Sequence, residues 1–436
     1  MVWSGTIALH LFSWGIWVVI GLTTVVGIHA LRIMLARPLV APEPLAEADQ
    51  ADWPFVSLLV AAKNEEAVVG KLVKTLCDLD YPADRYELWV IDDSSTDRTP
   101  ILLDQLAREY PQLKVLHRAA GAGGGKSGAL NQVLPLTQGE ILAVFDADAQ
   151  VSQDLLKRVL PLFQRPQVGA VQVRKAIANA DTNFLTQGQS IEMALDAFFQ
   201  EQRIALGGIG ELRGNGQFVR RLALERCGGW NEETITDDLD LTFRLHLDQW
   251  DIDFLAVPAV EEEGVTRSLA LWHQRNRWAE GGYQRYLDYW RFLARNRRLS
   301  PRKTFDLFVF WLIQYILPTA SVPDLLMAIA RNSSPLLSPL ASLTVMLSFM
   351  GMFVGLRRYQ QPKLAATPGE AQANLDASFW TTLSQSLQGT VYMFHWLVVV
   401  ASTTARISVR PKRLKWIKTI HQGAEDEVWL DLPEQT

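Results

Sequence analysis

At 436 residues, 48% hydrophobic and 20% charged, the chain has room for one large catalytic domain and a further apolar part. A net charge of −5 argues against general nucleic-acid binding, which demands a basic surface. Cys77 and Cys227 stand far apart and in no metal-type spacing, which argues against a disulfide framework and for a reducing compartment around the middle of the chain.

The apolar residues cluster at the two ends. The first stretch, Thr6 to Leu31, is long enough for a hydrocarbon core of roughly 30 Å. No positive residue precedes it, no small-residue cleavage signal follows, and Arg32 and Arg37 come at once. Residues 1–35 therefore read as a retained anchor with its amino terminus outside and residue 32 onward in the cytosol. Residues 36–52, rich in Pro, Ala and acids, read as a linker.

From Phe55 the pattern changes to short β-branched runs alternating with helix-like segments. FVSLLVAA (Phe55–Ala62), ELWVIDD (Glu87–Asp93), KVLHR and EILAVFDAD (Glu140–Asp148) read as strands. Amphipathic helices are expected between them. Such alternation predicts an α/β domain with a mostly parallel sheet covered on both faces, and ligands then bind beyond the strands' carboxyl ends.

The acids fall at those ends. Asp92 and Asp93 close one strand, and Asp146 and Asp148 close another. Asp-x-Asp at a strand end can present two carboxylates to one hard cation, which would neutralise a diphosphate; the plainer alternative is capping and turn formation. Asp237-Asp238, before the helix-like LDLTFRLHL, reads equally as a helix cap or a general base, and spacing alone favours the cap. AGAGGGKS (Ala120–Ser127) resembles a phosphate loop, but Ala120 stands where the nucleotide-triphosphatase pattern needs Gly. Lys126 and its glycines either meet a phosphate or form a turn. In Gln274-Arg275-Asn276-Arg277-Trp278, Arg277 suits a diphosphate and Trp278 a sugar face, against the alternative of a juxtamembrane belt.

Three late apolar stretches follow, at Phe305–Ala330, Pro335–Leu356 and Phe379–Ser402. Pro318, Pro323 and Asp324 interrupt the first, and Gln385, Gln388 and His395 the last. Basic runs at Arg295–Lys303, Arg357–Arg358 and Arg406–Lys418 all favour the cytosolic side. Four simple crossings would strand the last run outside, so one late stretch is expected to be re-entrant or interfacial. Residues 291–303 read as an interfacial helix, 304–402 as spanning or re-entrant, and 403–436 as a basic cytosolic tail.

In order, AAKNEE (Ala61–Glu66), VIDDSSTDRT (Val90–Thr99), GGKSGALN (Gly124–Asn131), FDADAQV (Phe145–Val151), GNGQFVRR (Gly214–Arg221), GGWNEETITDDLDL (Gly228–Leu241) and HQRNRW (His273–Trp278) resemble the inverting glycosyltransferases of family 2. The group includes cellulose, hyaluronan and chitin synthases. The resemblance covers about residues 53–290 and implies a cytosolic GT-A catalytic domain. It implies that Glu65, Asp92 and Asp93 seat the nucleotide, with Lys126 near it, and that Asp146 and Asp148 hold the nucleotide and Mg²⁺ or Mn²⁺. Asp238 would be the catalytic base, and Gln274, Arg277 and Trp278 would hold the diphosphate and the acceptor end. One departure is visible: the family usually has Glu-Asp where this chain has Asp237-Asp238.

The late stretches are few and broken, which fits a lipid acceptor better than a polysaccharide channel. The interface-suited stretch Tyr283–Lys303, HQRNRWAEGGYQRYLDYW and RLKWIKT (Arg413–Thr419) look like the family's cyanobacterial lipid-glucosylating branch. That likeness implies glucose transfer from UDP-glucose to diacylglycerol in the plasma or thylakoid membrane. A processive β-glycan synthase, making a cellulose- or N-acetylglucosamine-type polymer, is the alternative enzyme. A non-catalytic membrane scaffold is the alternative from another class, and intact acids at all three clusters argue against it.

Overall fold

The computed structural model describes residues 1–47, 52–295, 299–359 and 379–410. It opens with two helices, α1 (Val2–Leu11) and α2 (Gly15–Leu35), where the apolar pattern predicts one stretch from Thr6 to Leu31. The chain doubles back between them because Gly15 packs flush on the Leu9 carbonyl, leaving no room for a side chain.

Seven strands then form one sheet: β1 (Val56–Ala62), β2 (Tyr86–Asp92), β3 (Leu113–His117), β4 (Ile141–Phe145), β5 (Val168–Ile177), β6 (Gln217–Arg220) and β7 (Asp251–Glu262). Their order is β3-β2-β1-β4-β6-β5-β7, and β6 runs against both neighbours while every other pairing is parallel. The helices of this domain are α3 (Val69–Cys77), α4 (Thr99–Glu109), α5 (Gly125–Val133), α6 (Leu155–Val159), α7 (Phe184–Ala205), α8 (Arg221–Arg226) and α9 (Asp237–Leu247).

Alternation along β1 sends Leu58 and Val60 to one face, against Leu72 and Leu76 of α3, and Leu59 to the other, with Leu130 and Val133 of α5. Each such fully buried side chain contributes about 1.5–3 kcal/mol, and helices cover both faces of the sheet. Because the strands run together, Ala62, Asp92, His117 and Phe145 all reach the same edge.

Helix α7 starts at Asn183, whose carboxamide accepts the Leu185 and Thr186 amides at 2.9 and 3.1 Å, while Thr186 Oγ1 accepts the Asn183 amide at 3.0 Å. Together with the 28-residue α10 (Ser268–Arg295), it joins the α/β domain to a group of apolar helices. These are α11 (Pro301–Trp311), α12 (Leu317–Ala330), α13 (Ser338–Tyr359), α14 (Phe379–Met393) and α15 (His395–Val409). A π turn at Leu312–Ile316 fuses α11 and α12. It contains Gln314, the i−4 residue whose carbonyl the Pro318 ring would crowd in a regular helix.

Gly15–Leu35, Pro301–Ala330 and Ser338–Tyr359 are long and apolar enough to cross a membrane. Large apolar side chains stand outward on all three, among them Trp17, Ile28, Leu326, Ile329 and Met350. The stretch Phe379–Ser402 differs: it breaks at Phe394 into two 15-residue helices, α14 against α7 and α13, and α15 against α10 and α12. The segment 291–303 is divided as well. Residues to Arg295 finish α10, and Pro301 opens α11 with Ser300 as its cap. The linker is strapped down through Leu45, whose amide donates to the Lys157 carbonyl at 2.9 Å. Of the tail, Arg413–Thr419 lies outside the described residues.

Candidate active site

The carboxyl edge of the sheet gathers charged groups from strands and helices far apart in the chain. Asp93 follows β2, and its carboxylate pairs with Arg118 and, at 3.4 Å, with Lys63. Arg118 also donates to the Gly123 carbonyl at 2.7 Å and to Gln132 at 3.0 Å, which ties Asp93 to the glycine loop. Glu65 is buried just beyond β1, its amide donating to Thr99 Oγ1 at 2.9 Å. Asp92 is turned inward: its carboxylate accepts the Ser95 amide and meets the His117 ring, both at 3.0 Å, and only 3% of the residue is exposed. It braces the turn that carries Asp93. Ser94 in that turn has φ 57°, and its hydroxyl donates to the Arg118 and Ala119 carbonyls at 2.9 Å.

The glycine-rich run forms a turn, and Lys126 stands in the first turn of α5 with its ammonium 2.5 Å from Asp146 Oδ1. The Asp146 amide donates to Asn215 Oδ1 at 3.2 Å, which fixes the start of the Asp-x-Asp segment to the loop before β6. Asp148 Oδ2 accepts the Glu263 amide at 2.9 Å, at the end of β7. Asp146 and Asp148 are the carboxylates here that could share a hard cation. Among the described residues, no group of three or more His, Cys, Asp or Glu side chains is placed to hold a metal by itself.

Asp237 and Asp238 open α9, beside Gly214. Burial, reinforced by the neighbouring Asp237, pushes the Asp238 carboxyl up to about 6, although the Leu239 amide, Lys126 and Lys175 pull it back. Burial works against the Lys126 charge too, but Asp146, Asp237 and Asp238 hold its pKa above the usual lysine value. Burial pulls the Arg277 guanidinium down against the attraction of Asp146 and Asp238, so the cation on α10 faces both carboxylates.

Lys175, on β5, pairs with Glu262 of β7 at 2.8 Å and lies 5.5 Å from the Trp278 ring centre. Glu262 in turn receives Asn215 Nδ2 at 3.4 Å. Gln274, one turn before Trp278, keeps its buried carbonyl oxygen without a hydrogen bond. Arg118, Lys175 and Glu262 are the site residues that motif reading passes over. Their one signal is a charge inside or just beyond an apolar strand, which a half-buried strand also shows.

The edge thus gathers paired acids and the cations that face them, with the Asp238 carboxylate buried beside Gly214 and the Trp278 indole beside Lys175. A seven-stranded, mostly parallel GT-A fold with such an edge is that of a nucleotide-sugar transferase. The profile described as glycosyltransferase like family 2 matches residues 54–281, and the chain belongs to that family. The β-monoglucosyldiacylglycerol synthase of Nostoc sp. strain PCC 7120 is 64% identical over 423 residues, 97% of this chain and 87% of that one. The enzyme of the same name from Synechocystis sp. strain PCC 6803 is 58% identical over 434 residues, 99% of this chain and 88% of that one. Among solved structures, the mannosyltransferase PcManGT from Pyrobaculum calidifontis, in complex with GDP-Man and Mn²⁺, shares the fold with a TM-score of 0.59 at 22% identity, over 93% of this chain and 99% of that one.

Proposed function

We propose that this chain transfers glucose from UDP-glucose to the free hydroxyl of 1,2-diacylglycerol with inversion, giving β-monoglucosyldiacylglycerol. The observation that carries the reading is 64% identity, over nearly the whole chain, to an enzyme named for that product. The geometry supplies a chemistry that fits it.

In this reading Glu65 and Asp93 seat the uridine, with Asp92 holding the turn beneath Asp93. Asp238 takes the acceptor hydroxyl's proton as that oxygen bonds to the anomeric carbon. The bond from that carbon to the diphosphate breaks, and UDP leaves with the electron pair. Lys126 and Arg277 balance the charge that grows on the leaving diphosphate, and Gln274 and Trp278 bound the acceptor side. Attack opposite the leaving group turns an α-linked donor into a β-glycoside.

Asp146 and Asp148 fit a divalent ion, Mg²⁺ or Mn²⁺, of the kind that takes one or two carboxylates and fills its other positions with phosphate oxygens and water. That Asp146 already accepts the Lys126 ammonium supports a cationic role for its surroundings. Such an ion would supply further neutralisation of the leaving diphosphate.

The residues divide as an anchor over 1–35, a linker over 36–52 and a catalytic domain over 53–290, followed by the apolar helices. With three crossings and α14–α15 lying along the interface, one side of the membrane receives Arg302 and Lys303, Arg357 and Arg358, and Arg406. Arg358 pairs with Glu201 of α7 at 2.7 Å and Arg406 with Glu280 of α10 at 3.2 Å, so both stand on the side of the catalytic domain. The positive-inside rule then makes that side the cytosol and the amino terminus external.

Membranes carrying the protein, supplied with labelled UDP-glucose or UDP-galactose and diacylglycerol, test the reading. Organic-extractable label in a β-glucolipid, which mild alkali deacylates to water-soluble β-glucosylglycerol, is the expected product. Label only in an insoluble polymer would establish a glycan synthase instead. Chelation should stop transfer, and added Mg²⁺ or Mn²⁺ should restore it.

A further inference from the structure

The inner end of the acceptor side is built from residues far apart in the chain. Arg275 is fully buried, one turn before Trp278 on α10, and its guanidinium carbon lies 4.0 Å from the centre of the Trp278 ring. Trp396, from α15, approaches the same guanidinium at 5.6 Å. Arg275 Nη2 donates to Glu192 of α7 at 2.6 Å, and the Tyr392 hydroxyl donates to that carboxylate at 3.2 Å. The other Glu192 oxygen accepts Trp396 Nε1 at 2.8 Å. Arg275 Nε and Nη1 have no hydrogen bond, so indole faces stand where polar partners would. Lys175 lies against Trp278 as well, which flanks the indole with two cations.

A buried pair of this kind costs desolvation that an apolar filling would avoid, so packing alone is a poor reason for it. What it achieves is direction: a planar guanidinium, clamped by a carboxylate, gives the indole one orientation. Tyr392 and Trp396 flank the break at Phe394, so the break itself brings both against Glu192.

We propose that Glu192, Arg275, Tyr392 and Trp396 form a positioning unit that sets the Trp278 indole for the acceptor, linking acceptor geometry to the helix pair α14–α15. This rests on the reading of the site as a lipid glucosyltransferase. Arg275→Ala would strand the Glu192 charge with nothing in its place, whereas Glu192→Gln keeps a hydrogen-bond acceptor for the buried guanidinium while removing its counter-charge. The test therefore uses Glu192→Gln, Trp396→Phe and Trp396→Leu in the full-length protein in lipid nanodiscs, with thermal melting as the folding control.

Glu192→Gln and Trp396→Leu should raise the KM for diacylglycerol about tenfold, with kcat at saturating lipid and the KM for UDP-glucose changed less than about twofold. Trp396→Phe, which keeps an aromatic face, should recover most of the loss. Donor and acceptor KM rising together, or neither rising in a folded variant, would overturn the positioning role. If the wild-type protein glycosylates a different acceptor, the functional reading fails, and the same split measured with that acceptor still decides the inference.

Discussion

In the proposed reaction, the chemistry turns on the balance of charge around Asp238. Its carboxyl titrates near 6 because burial and Asp237 outweigh the pull of the two lysines. The base proposed there works only when ionised, so kcat/KM should rise with pH through about 6 and level off above it, which a pH–rate profile measures. Lys126 favours the ionised form, so Lys126→Met should move that limb to higher pH and also raise the UDP-glucose KM about 10- to 100-fold. The stability effect has the opposite sense to activity. A carboxyl whose folded pKa lies above its unfolded value binds its proton more tightly when folded. Its ionisation therefore removes stability as pH rises from the ordinary carboxyl range to above about 6. Asp238→Asn should abolish transfer at every pH yet melt no lower than the wild-type protein at pH 8. Surviving transfer would remove Asp238 as the base. Lys175 was invisible in the sequence because a lysine in a strand is usually an outward-facing edge residue, and only β7 folding beside β5 gives it Glu262.

Helix α10 decides how the two sides of the site meet. Its Gly281 lies against Thr236, the residue before the acid pair, so closely that a Cβ would collide with the threonine hydroxyl. Gly281→Ala should force α10 and the start of α9 apart, costing about 1–3 kcal/mol in unfolding free energy. Thermal melting reads that cost, and transfer should fall further than donor binding, because Arg277 and Trp278 travel with α10. The elements themselves were largely legible. Phe55–Ala62 and Glu87–Asp93 became β1 and β2 because short apolar runs between turn residues have few other ways to bury both faces. The length of α10 was not legible: Tyr283–Lys303 read as an interface-suited stretch, whereas Tyr283, Tyr286 and Tyr289 pack inward with Phe243 of α9 and Tyr315 of the π turn, while Arg291 and Arg295 stay exposed.

At the scale of the whole molecule, the domain and the apolar helices are joined by a buried polar knot. Asp306 at the start of α11 accepts Arg203 Nε of α7 at 2.9 Å and the Ile209 amide at 3.0 Å, while Glu211 pairs with Arg285 of α10 at 2.9 Å and with Arg213 at 2.7 Å. Asp306→Ala would leave Arg203 with a weakened partner and an orphaned amide, at a cost of about 3–5 kcal/mol. Faster proteolysis in the junction at residues 299–301, together with a lower Tm in detergent, is the expected outcome. The sequence by itself determined the α/β class, the acids at the strand ends and the apolar termini, because period, chain direction and strand ends are local properties. What only the tertiary structure decided is which charges meet: Lys126 with Asp146, Lys175 with Glu262, Arg275 with Glu192, and Glu192 with Trp396 some two hundred residues away. Those contacts depend on how closed elements pack, and no periodicity along the chain encodes them. The aspartates at the strand ends were therefore readable from the outset, whereas Lys175 beside Glu262 and the helix break at Phe394 emerge only from packing.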